Sequence, residues 1–204
     1  MQLHVITDGK KTKEELVVIL SSIHPYVDMI HVREKQRTAR ELMKLIEALL
    51  DKGVPAGKLI INDRVDVAHT LGLRGVQLAY HSIGVSQVRR CFPTLLIGKS
   101  VHSFEEVKQA EHEGADYVLY GHVYSTSSKE GLQPKGLSEL VGKIASLSIP
   151  VIAIGGITPE KVFELKSCGV SGVAIMSGIM DAENVVEATK AYKSSLLVET
   201  EGLS

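Results

Sequence analysis

The stretch Ala115-Asp116-Tyr117-Val118-Leu119-Tyr120-Gly121-His122-Val123-Tyr124-Ser125-Thr126-Ser127-Ser128-Lys129-Glu130-Gly131 decides the fold. Gly114, just before it, stands where a left-handed residue would stop a helix. Tyr117 to Tyr120 is a short apolar run rich in strand formers, and Gly121 opens a polar loop. A helix stop, a buried strand and a polar loop, in that order, make one strand-helix unit of a parallel sheet. The same punctuation recurs along the chain. Strand-like runs fall at Leu3 to Thr7, Met29 to Arg33, Leu59 to Asn62, Gly75 to Leu78, Leu95 to Lys99, Tyr117 to Tyr120, Val151 to Ile154 and Gly172 to Met176. Between them, Leu42, Leu45, Ile46 and Leu49 keep helical spacing, as do Val185, Ala188, Thr189 and Tyr192. Gly53 and Gly169 mark further helix ends, and Thr158-Pro159 reads as a cap followed by the first helical residue. Eight units in 204 residues leave about 25 residues each, so the expectation is an α/β chain, residues 1–204, forming a single-domain (β/α)8 TIM barrel below the usual ~250 residues. An open doubly wound sheet is the rival, but the first strand runs into Thr7-Asp8-Gly9-Lys10-Lys11 and not into a glycine-spaced dinucleotide turn.

Composition narrows the function. With 23 Lys and Arg against 24 Asp and Glu, the net charge of -1 gives no electrostatic case for nucleic acid or an acidic membrane surface. Any anion must therefore be held locally. The start, Met1-Gln2-Leu3-His4, lacks the pattern of a signal peptide, and no apolar run approaches membrane-spanning length, so a cytoplasmic protein is expected. Cys91 and Cys168 have no paired spacing and read as buried thiols.

In a barrel of this kind chemistry sits where the strands end. The second strand runs out as His31-Val32-Arg33-Glu34-Lys35, and alternation puts His31, Arg33 and Lys35 on one side, where they would converge on the mouth or remain solvated charge. The third ends in Asn62-Asp63-Arg64; Asn62 suits a substrate edge, and Asp63 suits a metal, a cation, or the cap of a helix starting at Val65. Ser100 lies between a strand end and the capping box made by Ser103 and Glu106, where its hydroxyl can face a ligand. The seventh and eighth strands end in Gly155-Gly156 and Met176-Ser177. Adjacent glycines let backbone approach an anion, which points to a phosphate held by the N–H groups of Gly156 and Ser177. His122 follows a strand end by two residues, among Tyr117, Tyr120, Tyr124 and a run of hydroxyls, and an imidazole can take and return a proton near neutral pH. The bland alternative is a structural histidine, one of eight in the chain. Scattered histidines and a lone Asp63 argue for no metal.

Several segments together resemble the thiamin phosphate synthase family: His31 to Lys35, Ile61-Asn62-Asp63-Arg64-Val65-Asp66-Val67-Ala68, Ile97 to His102, Gly114 to Lys129, and Pro150 to Ile157. The resemblance implies a TIM barrel of thiamin biosynthesis whose partner is a small phosphorylated thiazole. It implies that the thiazole phosphate is held at Gly156, Met176 and Ser177 and by the loop Thr126, Ser127 and Ser128. It places the pyrophosphate side at Arg33, Lys35, Asn62, Ser100 and Lys129. Three positions depart from the family pattern. His31 replaces a glutamine, and Ala79-Tyr80-His81-Ser82 replaces Gly-Gln-Glu-Asp, whose aspartate is a magnesium ligand. Gly121-His122 replaces Gly-Pro. Loss of a metal carboxylate and gain of an imidazole resemble the thiazole tautomerase branch. The expected function is therefore a cofactor-independent isomerase, aromatising a dihydrothiazole carboxylate phosphate by proton transfer through His122. In that reading the substrate phosphate lies on Gly155 and Gly156, and Arg33, Lys35 or Lys129 lies near its carboxylate. No nucleic acid or membrane partner is expected, and a homodimer is left open. The alternatives are a magnesium-dependent thiamin phosphate synthase and a non-catalytic regulator that binds thiazole phosphate.

Overall fold

A computed structural model of the chain describes residues 1–126, 133, 134, 136–138 and 140–197. Eight parallel strands close into a barrel in sequence order: β1 Gln2–Ile6, β2 Met29–Val32, β3 Leu59–Asn62, β4 Gly75–Leu78, β5 Leu96–Val101, β6 Tyr117–Gly121, β7 Val151–Ile154 and β8 Gly172–Ile175. Val5 pairs with Ile30 on one side and with Ile175 on the other, which shuts the ring. The helices are α1 Lys13–Ile23, α2 Ala39–Asp51, α3 Val65–Thr70, α4 Val85–Cys91, α5 Phe104–His112, α6 Val162–Ser167, α7 Ser177–Met180 and α8 Val185–Leu197. The expected barrel is thus the observed one. Among the described residues no helix is long and apolar enough to cross a membrane.

Local chemistry explains where elements start and stop. Thr12 and Thr38 each close a reciprocal capping box, with Glu15 and Glu41. Leu42, Leu45, Ile46 and Leu49 form the buried stripe of α2, as their spacing predicts. Gly53, Gly114 and Gly169 have φ of +83°, +93° and +83°, the left-handed stops expected of them. Other local expectations change. Pro159–Lys161 is a 3₁₀ turn ahead of α6, and Thr158 starts it without a side-chain cap. The Ser103 hydroxyl accepts from Glu106 N–H, whereas the Glu106 carboxylate takes His102 N–H, so the box is shifted by one residue on that arm. Cys91 is exposed and Cys168 half-buried, because both fall at helix ends and not on a core-facing stripe.

Two apolar layers result. One packs helices on the outer barrel face, through residues such as Leu3, Val5, Ile61, Val76, Val118 and Ile175. The other fills the interior with Ile6, Tyr117, Leu119, Ile152 and Ala174. Tyr117 fits because Gly98 faces it: a Cβ there would lie 2.2 Å from both the tyrosine ring and Gln77 Oε1. Below the mouth the interior holds a buried polar layer. His4 Nδ1 lies 3.0 Å from His31 Nε2, and His4 Nε2 lies 3.1 Å from Gln2 Oε1. With both rings neutral, His31 donates to His4 and His4 donates to the glutamine carbonyl. Tyr117 stands edge-on to both rings at 5.8 and 6.2 Å. Burial holds His4 down to about 4 and His31 well below the usual imidazole range, so both are uncharged at neutral pH.

Candidate functional site

A cavity of about 310 Å³ opens at the C-terminal ends of the strands. Its apolar floor is Ile6, Leu119, Ile154 and Ala174. Strand order sets two clusters across it, because β3 and β4 lie diametrically opposite β7 and β8. On the β7–β8 side are Gly155, Gly156, Met176 and Ser177. On the other are Arg33 and Lys35 after β2, Asn62 and Asp63 from β3, Gln77 from β4 and Ser100 from β5. His122 and Thr126 line the wall between the clusters on the loop after β6. The structure therefore brings together Arg33, Lys35, Asn62, Ser100, His122, Thr126, Gly155, Gly156, Met176 and Ser177. Ser127, Ser128 and Lys129 lie outside the described residues.

The glycine end is shaped by packing as much as by ligand. Gly155 and Gly156 have φ of +102° and +62°. A Cβ on Gly155 would lie 2.4 Å from His122 Cβ, and one on Gly156 2.2 Å from Ser125 O. The pair lets the β6 loop lie against the β7 loop, and Val123 N–H and Tyr124 N–H bond Ile154 O and Gly155 O at 2.8 and 3.0 Å. Lys161 Nζ donates to Gly156 O at 3.1 Å, which holds that peptide in place. Among the described residues, the N–H groups of Gly156 and Ser177 donate to no protein acceptor, so both remain available to an anion.

The opposite end is built from side chains. Arg33 is aimed by its own N–H, which donates to the buried Thr7 hydroxyl at 2.8 Å. The rest of the basic run divides: Arg37 pairs with the buried Glu34 at 3.1 Å and donates to Lys11 O, whereas Arg33 and Lys35 line the cavity. Asp63 has φ of +62°, a conformation that aspartate tolerates better than most residues. Its carboxylate accepts from the Ser82 hydroxyl and, at 3.2 Å, from His81 Nε2. Ser82 Oγ in turn accepts Ala79 N–H at 2.6 Å. Asp63 therefore does not cap α3, which begins after Arg64 with no side-chain cap.

Two other expectations change here. His31 is fully buried in the barrel and bonded to His4, so it does not join Arg33 and Lys35 at the mouth. Alternation gave it the correct face but not its depth. Tyr117 is interior, Tyr120 points outward into the helical layer, and Tyr124 donates to Glu164 at 2.7 Å, so none of them flanks His122 in the cavity. Burial and that carboxylate push the Tyr124 hydroxyl up. His122 itself lines the cavity, although only 5% exposed. Sequence reasoning gave no role to Gln77, whose Nε2 donates to Ser100 Oγ at 3.0 Å, or to the rim residues Tyr80, His81 and His102. The alternation of Gly75 to Leu78 would have placed Gln77 inward. Nothing local marks the rim.

Magnesium, which the family resemblance implies, needs several oxygen ligands in near-octahedral order. The described residues contain no group of three His, Cys, Asp or Glu placed for a metal. Among the described residues Asp63 is the one carboxylate that lines this end, and it is engaged by Ser82 and His81. The residues present do not fit that ion.

Residues 3–179 match the family model described as thiamine monophosphate synthase. The chain is 39% identical over 192 residues to the thiamine-phosphate synthase of Chlorobium luteolum, covering 93% of this chain and 90% of that protein. It is 34% identical over 193 residues to the thiamine-phosphate synthase of Methanococcus maripaludis, covering 93% and 92%. Among solved structures it is similar to a thiamine phosphate pyrophosphorylase from Pyrococcus furiosus, with a TM-score of 0.80, 33% identity and coverage of 96% of this chain and 95% of that one. These relatives overturn the tautomerase reading. They are named as synthases, which are transferases and not isomerases, so the isomerase assignment and its proton shuttle through His122 are withdrawn. That reading gave two altered loops more weight than the rest of the chain.

Proposed function

The chain belongs to the thiamine monophosphate synthase family, and we propose that its barrel mouth joins a phosphorylated thiazole to a pyrimidine bearing a diphosphate. One observation carries this reading: across an apolar floor, main-chain N–H groups after β7 and β8 face Arg33 and Lys35 on the opposite side, so both ends are suited to anions. Two such ends suit the two charged groups, a phosphate and a diphosphate, that the transfer brings together.

In this reaction the thiazole nitrogen attacks the pyrimidine methylene carbon. The C–N bond forms as the C–O bond to diphosphate breaks, and the diphosphate leaves with the electron pair. The chain's residues do three things. The N–H groups of Gly156 and Ser177 pin the thiazole phosphate, with Thr126 beside them. Leu119, Ile154 and Ala174 shape the apolar space for the rings, and Gln77, Asn62 and Ser100 offer hydrogen bonds to a pyrimidine edge. Arg33 and Lys35 meet the charge that develops on the departing diphosphate. A protein handling such metabolites belongs in the cytoplasm.

The test is direct. Supplied with both substrates in magnesium buffer and, separately, in EDTA, the protein should form thiamine phosphate in at least one condition. No product in either contradicts the reading. A binding role without turnover is the second reading, favoured by the engagement of Asp63 with Ser82 and His81. Tight thiazole phosphate binding with no product would select it.

A further inference from the structure

We propose that the β2–β4 end of the mouth holds diphosphate with protein cations alone, and that Asp63 is an anchor of the turn after β4 rather than a ligand to a divalent metal. This deepens the transferase reading and rests on it, since it assumes that a diphosphate occupies this end. Three observations converge.

First, Asp63 is already committed. Ala79 N–H donates to Ser82 Oγ at 2.6 Å, and Ser82 donates to Asp63 Oδ1. His81 Nε2 donates to Asp63 Oδ2 at 3.2 Å, and Ser82 N–H closes the turn on Ala79 O at 3.2 Å. Lys99 Nζ donates to Ala79 O at 2.8 Å, tying the same turn to β5. Each oxygen of the carboxylate thus accepts from a residue of the turn, and the turn is held to β3 through it. Second, the neighbouring donors are wrong for a hard cation. The His81 ring presents its N–H to the carboxylate, and magnesium selects oxygen.

Third, the counter-charge is supplied elsewhere. Among the described residues, neither Arg33 nor Lys35 makes an ion pair, although Arg37 pairs with Glu34 and Lys11 with Asp8 in the same region. Two cations thus face the cavity against one carboxylate whose hydrogen-bonding capacity is turned towards Ser82 and His81. Arginine also offers a planar fork that matches phosphate oxygens.

Calorimetric titration of the full chain with inorganic pyrophosphate, in EDTA and then in magnesium chloride, tests this. The two affinities should agree within about threefold, and Asp63→Asn should tighten binding by about threefold or more by removing a like charge from beside the anion. Binding only in magnesium, or a magnesium-dependent loss of about tenfold in Asp63→Asn, overturns the proposal. Because Asp63→Asn disturbs the turn, Ser82→Asp provides a second arm. Adding a carboxylate should weaken binding in EDTA and create a magnesium requirement, whereas an unchanged profile would contradict the proposal. Thiazole phosphate titrated in parallel separates the two levels. If it binds while pyrophosphate needs magnesium or does not bind, the proposal fails alone; if neither ligand binds, the transferase reading fails with it.

Discussion

The two ends of the mouth are built by different means. After β7 and β8 the cavity-facing groups are main-chain amides, and the positive φ of Gly155 and Gly156 is also demanded by the packed β6 loop. At β2 to β4 they are side chains on strand ends, held by partners from neighbouring strands and turns. An amide cradle belongs to the fold and survives most substitutions around it. A side-chain cradle can be rewired two or three residues at a time, as the Asp63, His81 and Ser82 cluster illustrates. The glycine end should therefore fail together with stability, and the cation end largely apart from it.

The strongest attempt to break that contrast is Gly156→Ala. A Cβ 2.2 Å from Ser125 O, on a residue with φ of +62°, should destabilise the chain by about 4 kcal/mol in urea unfolding and abolish thiazole phosphate binding. A stable variant with normal binding would mean that the two roles are separable.

Acid probes the polar layer beneath both ends. The unfolded chain binds a proton on His4 near ~6.5, whereas the folded one does not until about 4. Stability should therefore be complete above ~6.5 and fall as pH drops towards 4, by about 3 kcal/mol from His4 alone. Urea midpoints that stay flat across that window would contradict a neutral His4 and His31 pair.

Ser82→Ala sharpens the comparison. It removes the acceptor for Ala79 N–H and the donor to Asp63, and should cost about 1–2 kcal/mol in unfolding while leaving thiazole phosphate affinity unchanged. A parallel loss of thiazole phosphate affinity would show that the ends are coupled. The smallest effect on stability is expected for Lys35→Ala. Lys35 is exposed, so unfolding should shift by no more than about 0.5 kcal/mol while pyrophosphate affinity falls severalfold. An unchanged pyrophosphate affinity would remove Lys35 from the cradle.

These differences also mark what the sequence could reveal. The barrel was legible because each strand is a short apolar run and because Gly53, Gly114 and Gly169 stop helices by a local conformational rule. The site's membership was largely legible too, since strand ends define the mouth. Depth was harder to read. His31 and Arg33 share a face, and two residues of strand, roughly 7 Å, separate a buried ring from a mouth cation. Partnership was not legible at all for Asp63, because its partners come from a turn 18 and 19 residues later. The Gly155-Gly156 pair reads in sequence as room for an anion, and its equal role in admitting the β6 loop depends on tertiary packing that no local pattern records.

The most direct test is a crystal structure with thiazole phosphate and pyrophosphate bound together. The account predicts the thiazole phosphate on the N–H groups of Gly156 and Ser177 and the pyrophosphate against Arg33 and Lys35, with Asp63 still bonded to Ser82. Both anions at one end, or thiazole phosphate seated on Arg33 and Lys35, would contradict it.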